Sequence, residues 1–497
     1  MKKEEISRNM YPMQRIFYYS TNNYDERVDF ETALFNGIAS NYGLYMFHRE
    51  LIPVIDYETI QRMRHMSYAE IAYYVLRPFL MWEIEDNVLR KLLEDAYDED
   101  NIRTTVQHVT GKSYIMWLSG GPTNSFKDYA ARFYGKVLEF FLKKRKKRRI
   151  IIVATSGDTG GAVADALYGL ENVDCVVFYP KDAITEVQRR QITTLKGNIY
   201  GFEVNGDFDL CQALAKHLLY DKEFAEEAFG DRSIFTSANS ISIARLLPQT
   251  VYPFFGYSRI IDDGLGFIAS VPSGNFGNMM GTVIAKKMGL PVRKIICALN
   301  ENTEFLDFLM EGKYVIRPTK KSPSSAMNVS HPSNLARLFD LYGGHIFDER
   351  DPKTGEIKRQ GIIDRMPDME ALKRDIEAIS VSDEEHYSTI QEVYKNFGII
   401  LDPHGAVGWR ALEKYLGGFH QIPAIVYETA DPGKFPEEIK KALGFEPEIP
   451  KEVKKKMEMD ERIFSIENEP ERTPDGLRLT KDQILEAKRK IRDLLKG

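Results

Sequence analysis

A chain of 497 residues can bury a large core, and that length favours two or three domains over one. With 43% hydrophobic and 28% charged residues, the composition excludes a disordered chain. A formal net charge of −6 gives no bulk electrostatic reason to expect nucleic acid or an anionic membrane as partner, which leaves small molecules. The three cysteines, Cys175, Cys211 and Cys297, are far apart and form no C-x-x-C pair, so neither a zinc site nor a disulfide framework is expected. The polar start Met1-Lys2-Lys3-Glu4-Glu5 and the lack of a long apolar run predict no signal peptide and no membrane span. These features describe a cytoplasmic monomer or homodimer.

Residues 1 to about 110 carry amphipathic helical patterns over Tyr68 to Trp82 and Asp86 to Ala96 without a glycine-rich turn, and are read as an N-terminal, mainly helical structural domain. From about Tyr114 the pattern changes to short β-branched runs, each followed by a turn signal and a helical period, which predicts an α/β fold with mostly parallel sheets. The strand candidates are Ile150 to Ala154, Cys175 to Tyr179, Gly266 to Val271, Lys294 to Ala298 and Ala424 to Tyr427. Their near-continuous apolar character fits strands covered by helices on both faces. The segment from Tyr314 to Met369, richer in Pro, Ser, Gly and charge, is predicted to contain long loops. Residues 446–497 form a charged C-terminal extension with a helical pattern from Thr480 to Leu495. The seven basic residues Lys143 to Arg149 sit between a helix and a buried strand, and read as a solvated helix exit rather than a nucleic-acid patch.

The segment Gly120-Gly121-Pro122-Thr123-Asn124-Ser125-Phe126-Lys127-Asp128 turns into a helix whose apolar positions include Phe126, Tyr129, Phe133 and Val137. Ser125 and Asp128 make an S-x-x-D capping pattern that predicts a helix start at Ser125, with Lys127 in the first turn. An ammonium there opposes the helix dipole, and burial beside Phe126 disfavours its charge; both lower its pKa and suit it to Schiff-base chemistry. Two more turns follow apolar strands: Ala154-Thr155-Ser156-Gly157-Asp158-Thr159-Gly160-Gly161, and Ser273-Gly274-Asn275-Phe276-Gly277-Asn278. Each sets glycines and a helix start where an anion can bind. Tyr427-Glu428-Thr429-Ala430-Asp431-Pro432 ends the last strand. Ligands in parallel α/β sheets sit beyond the carboxyl ends of the strands, so all three loops can face one cleft.

In order and spacing, G-P-T-x-x-F-K-D around Lys127, T-S-G-D-T-G at Thr155 to Gly160 and S-G-N-F-G-N at Ser273 to Asn278 resemble the threonine synthase family. Thr236 to Ser242 with Arg245, Tyr179-Pro180-Lys181 with Val187-Gln188, and Leu401-Asp402-Pro403-His404 extend the match. The resemblance implies the two-lobed, tryptophan-synthase-like pyridoxal 5'-phosphate fold. Its large cofactor-binding lobe would span residues 111–149 and 265–445, and its smaller substrate lobe residues 150–264. It implies that Lys127 carries the cofactor as a Schiff base and that Ser273, Gly274, Asn275, Phe276, Gly277 and Asn278 hold the cofactor phosphate, with Thr429 meeting the pyridine nitrogen. Thr155, Ser156, Asp158 and Thr159 would surround the substrate carboxylate and the ring face, and Lys181, Asn239 and Arg245 would receive the substrate phosphate. The implied reaction converts O-phospho-L-homoserine and water to L-threonine and phosphate.

Two departures accompany the match. Threonine synthases of this length commonly read F-H before G-P-T, where this chain has Ser119-Gly120, and S-T-A-H-P-A-K-F, where it has Glu428 to Phe435 with Glu428 and Asp431 as new acids. A smaller pair is expected to enlarge the cleft, and two acids to change the charge where a phosphate dianion binds. The alternatives are a related phospholyase or replacement enzyme acting on a phospho-amino acid, and a non-catalytic ligand-sensing protein on the same fold.

Overall fold

Runs that are apolar at nearly every position suit strands in the middle of a covered sheet, and in the computed structural model they lie in two mostly parallel sheets. The structure describes residues 14–155, 157–181, 184–263, 266–350, 357–418, 420–473 and 476–496. The N-terminal region opens with three strands, β1 (Tyr18–Ser20), β2 (Asn23–Val28) and β3 (Tyr45–Phe47), paired antiparallel in the order β2-β1-β3. The region is therefore not helical throughout. β1 and β3 are three residues each and buried at every position, too short to display a period of two. The helices Tyr68–Leu80 and Asp86–Ala96 then follow where the apolar spacing places them, the first held by a capping box between Ser67 and Glu70.

Next come the hairpin β4 (Thr105–Thr110) and β5 (Ser113–Trp117), then β6 (Arg149–Ala154), β7 (Val173–Pro180), β8 (Ile199–Val204) and β9 (Phe235–Ser237). The later strands are β10 (Phe267–Pro272), β11 (Val292–Leu299), β12 (His345–Arg350), β13 (Ile357–Arg365), β14 (Ile376–Ser380), β15 (Ala424–Glu428) and β16 (Ile463–Ile466). The larger sheet has the order β14-β11-β10-β15-β5-β4, parallel except for the edge strand β4. The smaller has the order β16-β8-β7-β6-β9 and is parallel throughout.

Three features differ from the sequence expectation. β4 pairs with β5 inside the larger sheet, so that sheet takes its edge from residues grouped with the N-terminal domain. The stretch from Tyr314 to Met369 holds the helix Leu335–Leu341 and the hairpin β12–β13, whose half-exposed, charged strands carry no apolar run to announce them. The C-terminal residues are not an appendage: β16 adds a parallel strand to β8, and the helix Lys481–Leu495 buries Ala487, Ile491 and Leu495 in the core of the smaller lobe. The basic run does lie at a helix exit, and three of its arginines pair with acids from other elements: Arg145 with Glu31, Arg148 with Asp174 and Arg149 with Asp231. Among the described residues no helix is long and apolar enough to cross a membrane.

Candidate active site

The carboxyl ends of β6, β10 and β15 each release a loop, and the helices Asp158–Leu167 and Gly277–Lys287 start from the first two. The helix Lys127–Arg145 starts beside the third. Phe126 N–H donates to the Thr429 carbonyl at 2.8 Å and Asp431 N–H to the Asn124 carbonyl at 3.0 Å, with an antiparallel bridge between Ser125 and Ala430. The end of β15 thereby fixes the start of the lysine helix. That helix begins at Lys127, not at Ser125. Ser125 Oγ has no partner among the described residues, and the Asp128 carboxylate accepts from the Thr123 N–H (2.9 Å) and hydroxyl (2.5 Å) and, at 3.5 Å, from the Ser125 N–H. Asp128 thus ties the preceding turn chiefly through Thr123, with only its weak half of the capping pattern formed.

One cavity receives all three loops. Lys127, Thr155, Asp158, Thr159, Asn239, Arg245, Gly274, Asn275, Phe276, Gly277, Asn278 and Thr429 all line it. Ser273 is next to this wall, but its hydroxyl turns back to the Val271 carbonyl at 2.7 Å. Lys181 is not brought to the cavity: it follows β7 as an exposed residue, its N–H held by the Val204 carbonyl. Ser156 lies outside the described residues.

Lys127 is 15% exposed through its side chain, opening only into the cavity, and its Nζ lies 3.8 Å from Asp158 Oδ2. At an effective dielectric of 20, one carboxylate at that distance favours the ammonium by on the order of 4 kcal/mol. Burial outweighs it, and with Lys434 and Arg245 nearby the Lys127 pKa falls below that of an ordinary lysine. The mechanism expected from the sequence therefore holds in its burial part, and neighbouring cations supply the rest. Asp158 moves the other way. Burial alone would raise it, but Lys434 at 2.7 Å and Lys127 hold it well below the usual carboxylate range. Gln188 donates a further hydrogen bond to its Oδ1 at 3.1 Å. Its side chain is thus engaged by Lys434, Gln188 and Lys127, while the residue lines the cavity at the first position of its helix. Thr155 is also committed locally, accepting from Gly157 and Gly160 N–H at 2.9 Å each and donating to the Gly157 carbonyl at 2.8 Å.

The cavity wall carries unfilled hydrogen-bonding capacity of the kind a phosphorylated, ring-bearing group would take up. Asn278 is 4% exposed, yet among the described residues neither atom of its amide has a partner. Asn239 Oδ1 and Arg245 Nε are likewise unmatched. Arg245 makes no ion pair among the described residues, and burial pushes its pKa down to about 10, which leaves it a cation at neutral pH. Phe276 takes a left-handed φ of 60° at the head of its helix, a conformation costing a bulky residue about 1–3 kcal/mol and one that gathers successive N–H groups into an anion cradle.

The sequence reading assigned no site role to His404, Gln249, Phe208 or Ser240, which also line the cavity, or to Lys434 behind it. His404 accepts the Ala326 N–H on Nε2 (3.1 Å), so its proton sits on Nδ1, toward Asp402 Oδ1 at 2.5 Å. Its place in Asp402-Pro403-His404 and that of Lys434 two residues past Pro432 were the available signals. None of Ser119, Gly120, Glu428 and Asp431 lines the cavity. Gly120 is pressed against Arg103, whose carbonyl oxygen would lie 1.9 Å from any Cβ there, so backbone fills the space a ring would take. Glu428 is wholly buried away from the cavity, accepts the Asp402 N–H at 2.5 Å, and is raised well above the carboxylate range by burial and by Asp402. Asp431 caps Gly433 N–H at 2.8 Å, and burial raises its pKa.

A buried lysine at a helix start, facing a glycine-rich anion loop across the carboxyl ends of parallel strands, defines a pyridoxal-phosphate-dependent enzyme, and the model of the family described as pyridoxal-phosphate dependent enzyme matches residues 106–426. The models for the threonine synthase N terminus and C-terminal region match residues 17–97 and 405–474. Threonine synthase of Pseudomonas aeruginosa is 34% identical over 91% of this chain and 96% of its own, and that of Escherichia coli K12 33% identical over 89% and 94%. Among solved structures, pyridoxal-phosphate-bound threonine synthase from Brucella melitensis superposes with a TM-score of 0.83 at 29% identity, covering 96% of this chain and 99% of its own. The chain belongs to the threonine synthase family.

Proposed function

We propose that this protein is a pyridoxal-phosphate-dependent threonine synthase that converts O-phospho-L-homoserine and water to L-threonine and phosphate, acting on its small substrate in the cytoplasm. The observation that carries the reading is the opening of the Lys127 amine into the one cavity that also holds the Gly274–Asn278 loop and Thr429. Gly274, Asn275, Phe276, Gly277 and Asn278 would hold the cofactor phosphate, with Asn278 supplying a buried amide that has no partner among the described residues. Thr429, which lines the same cavity, would meet the ring nitrogen. The cofactor supplies the electron sink.

Lys127 Nζ, able to shed its proton in this setting, takes the proton from the substrate α carbon and passes protons at the β and γ carbons as phosphate leaves; water then adds at the β carbon. Arg245, whose Nε donor has no partner among the described residues, receives the anionic end of the substrate, and Asn239 lines the same cavity with its amide oxygen free. Thr155 shapes the turn on which Asp158 and Thr159 stand.

The test incubates the holoenzyme with O-phosphohomoserine and follows phosphate release together with the organic product. Threonine in step with phosphate is expected. Phosphate with 2-oxobutanoate and no threonine would reject the synthase in favour of a phospholyase, and a colourless protein without a borohydride-reducible chromophore would favour the ligand-sensing alternative. Lys127→Ala should lower turnover at least about 10²-fold.

A further inference from the structure

A lysine with no exposed surface must have its charge answered by the protein. Lys434 is 0% exposed, and its Nζ makes two contacts, 2.7 Å to Asp158 Oδ1 and 2.7 Å to the Thr123 carbonyl. The Asp158 carboxylate is thus divided. Oδ1 is taken by Lys434 and by Gln188 Nε2, whereas Oδ2 faces Lys127 from 3.8 Å, beyond hydrogen-bond length. Gln188 is itself held by the capping box with Thr185, so two fixed donors bind Oδ1, while Oδ2 is the oxygen nearest Lys127. The Thr123 carbonyl, shared with Gln191 Nε2 at 3.0 Å, anchors Lys434 to the loop that carries Lys127.

We infer that Lys434 is a positioning residue for the reaction. Its ammonium holds Asp158 Oδ1 as a fixed partner and keeps the carboxylate beyond hydrogen-bond distance of Lys127, which weakens the hold of that anion on the Lys127 proton. This rests on Lys127 as the reactive amine. The charged groups acting on Lys127 are Asp158 and Asp402, which favour its ammonium, and Lys434 and Arg245, which oppose it, in addition to burial. Removing the Lys434 charge leaves Asp158 unbalanced beside Lys127, and the Lys127 titration moves up. Removing the Asp158 charge leaves two cations facing each other, and it moves down.

The experiment measures competitive acetylation of Lys127 in the full chain freed of cofactor, by peptide mass spectrometry across the pH range, for the parent, Lys434→Gln, Lys434→Arg and Asp158→Asn. Lys434→Gln should raise the midpoint by at least about one pH unit, making Lys127 about tenfold less reactive below it. Lys434→Arg should restore the parent midpoint, a rescue that a purely structural role for the side chain would not produce, and Asp158→Asn should lower it. An unchanged or lowered midpoint in Lys434→Gln overturns the inference. Should that variant fail to fold, a midpoint in Asp158→Asn equal to or above the parent's overturns it instead. Borohydride reduction and peptide mapping of the parent holoenzyme test Lys127 as the cofactor's lysine separately, so the two readings fail distinguishably.

Discussion

Arg337 is the largest fully buried side chain, and replacing it probes how the lobes are joined. Its guanidinium donates from Nε to the Tyr45 carbonyl (2.9 Å), from Nη1 to Asn334 Oδ1 (2.8 Å) and the Ser240 carbonyl (3.4 Å), and from Nη2 to the Ile241 carbonyl (2.6 Å). One side chain therefore ties β3 to the loop after β9 and, through Asn334, to the anion loop, because Asn334 Nδ2 in turn holds the Asn275 carbonyl at 2.9 Å. Burial pushes the Arg337 pKa down to about 9, so it is still charged at neutral pH. A hydrogen bond to a charged group contributes about 1.5–3 kcal/mol, so four sum to about 6–12 kcal/mol before costs. Keeping the guanidinium out of water takes back several kcal/mol. Arg337→Met is therefore expected to lose about 3 kcal/mol of stability in urea unfolding. Its affinity for pyridoxal phosphate, followed by absorbance titration, should weaken about tenfold as Asn334 loses its anchor. A stability loss under about 1 kcal/mol with cofactor affinity unchanged would refute the reasoning.

Two further changes test the surroundings of the site. Gly120→Ala puts a Cβ 1.9 Å from the Arg103 carbonyl oxygen and must push the backbone apart; a loss of about 1–3 kcal/mol is expected in urea unfolding, and a neutral result would mean that the space is open after all. His386 is buried beside the Asp402–His404 pair with both ring nitrogens unpartnered, and burial lowers its pKa to about 4. Its folded pKa lies below the unfolded value near 6.5, so the stability it contributes is present above that value and lost as pH falls through 6.5 toward 4, by about 3 kcal/mol in all. His386→Leu should flatten this part of the acid limb in urea melts at pH 7.5 and pH 4.5, and a parent-like slope would show that the ring finds a proton acceptor.

The sequence by itself determined the five buried strands of the two sheets that carry the loops and the motif order. A run such as Ile150 to Ala154 is apolar at every position, and the turns after it and after Val271 show their glycines locally, so both are properties of neighbouring residues. Lys127 at a helix start was legible for the same reason. Only the tertiary structure decided which charges meet. Lys434 reaches Asp158 because β15 of one sheet and β6 of the other end at one cavity, and no local pattern encodes a contact between lobes. The departures at Ser119-Gly120 and Glu428 had the same limit: whether a small residue opens a cleft or admits a neighbouring backbone, and whether an acid is charged, depends on what packs against it. Arg103 and Asp402 supplied those answers from distant parts of the chain. The C-terminal strand β16 was missed because its apolar run, Ile463-Phe464-Ser465-Ile466, is short and set in a charged segment, and its place became visible only when it paired with β8.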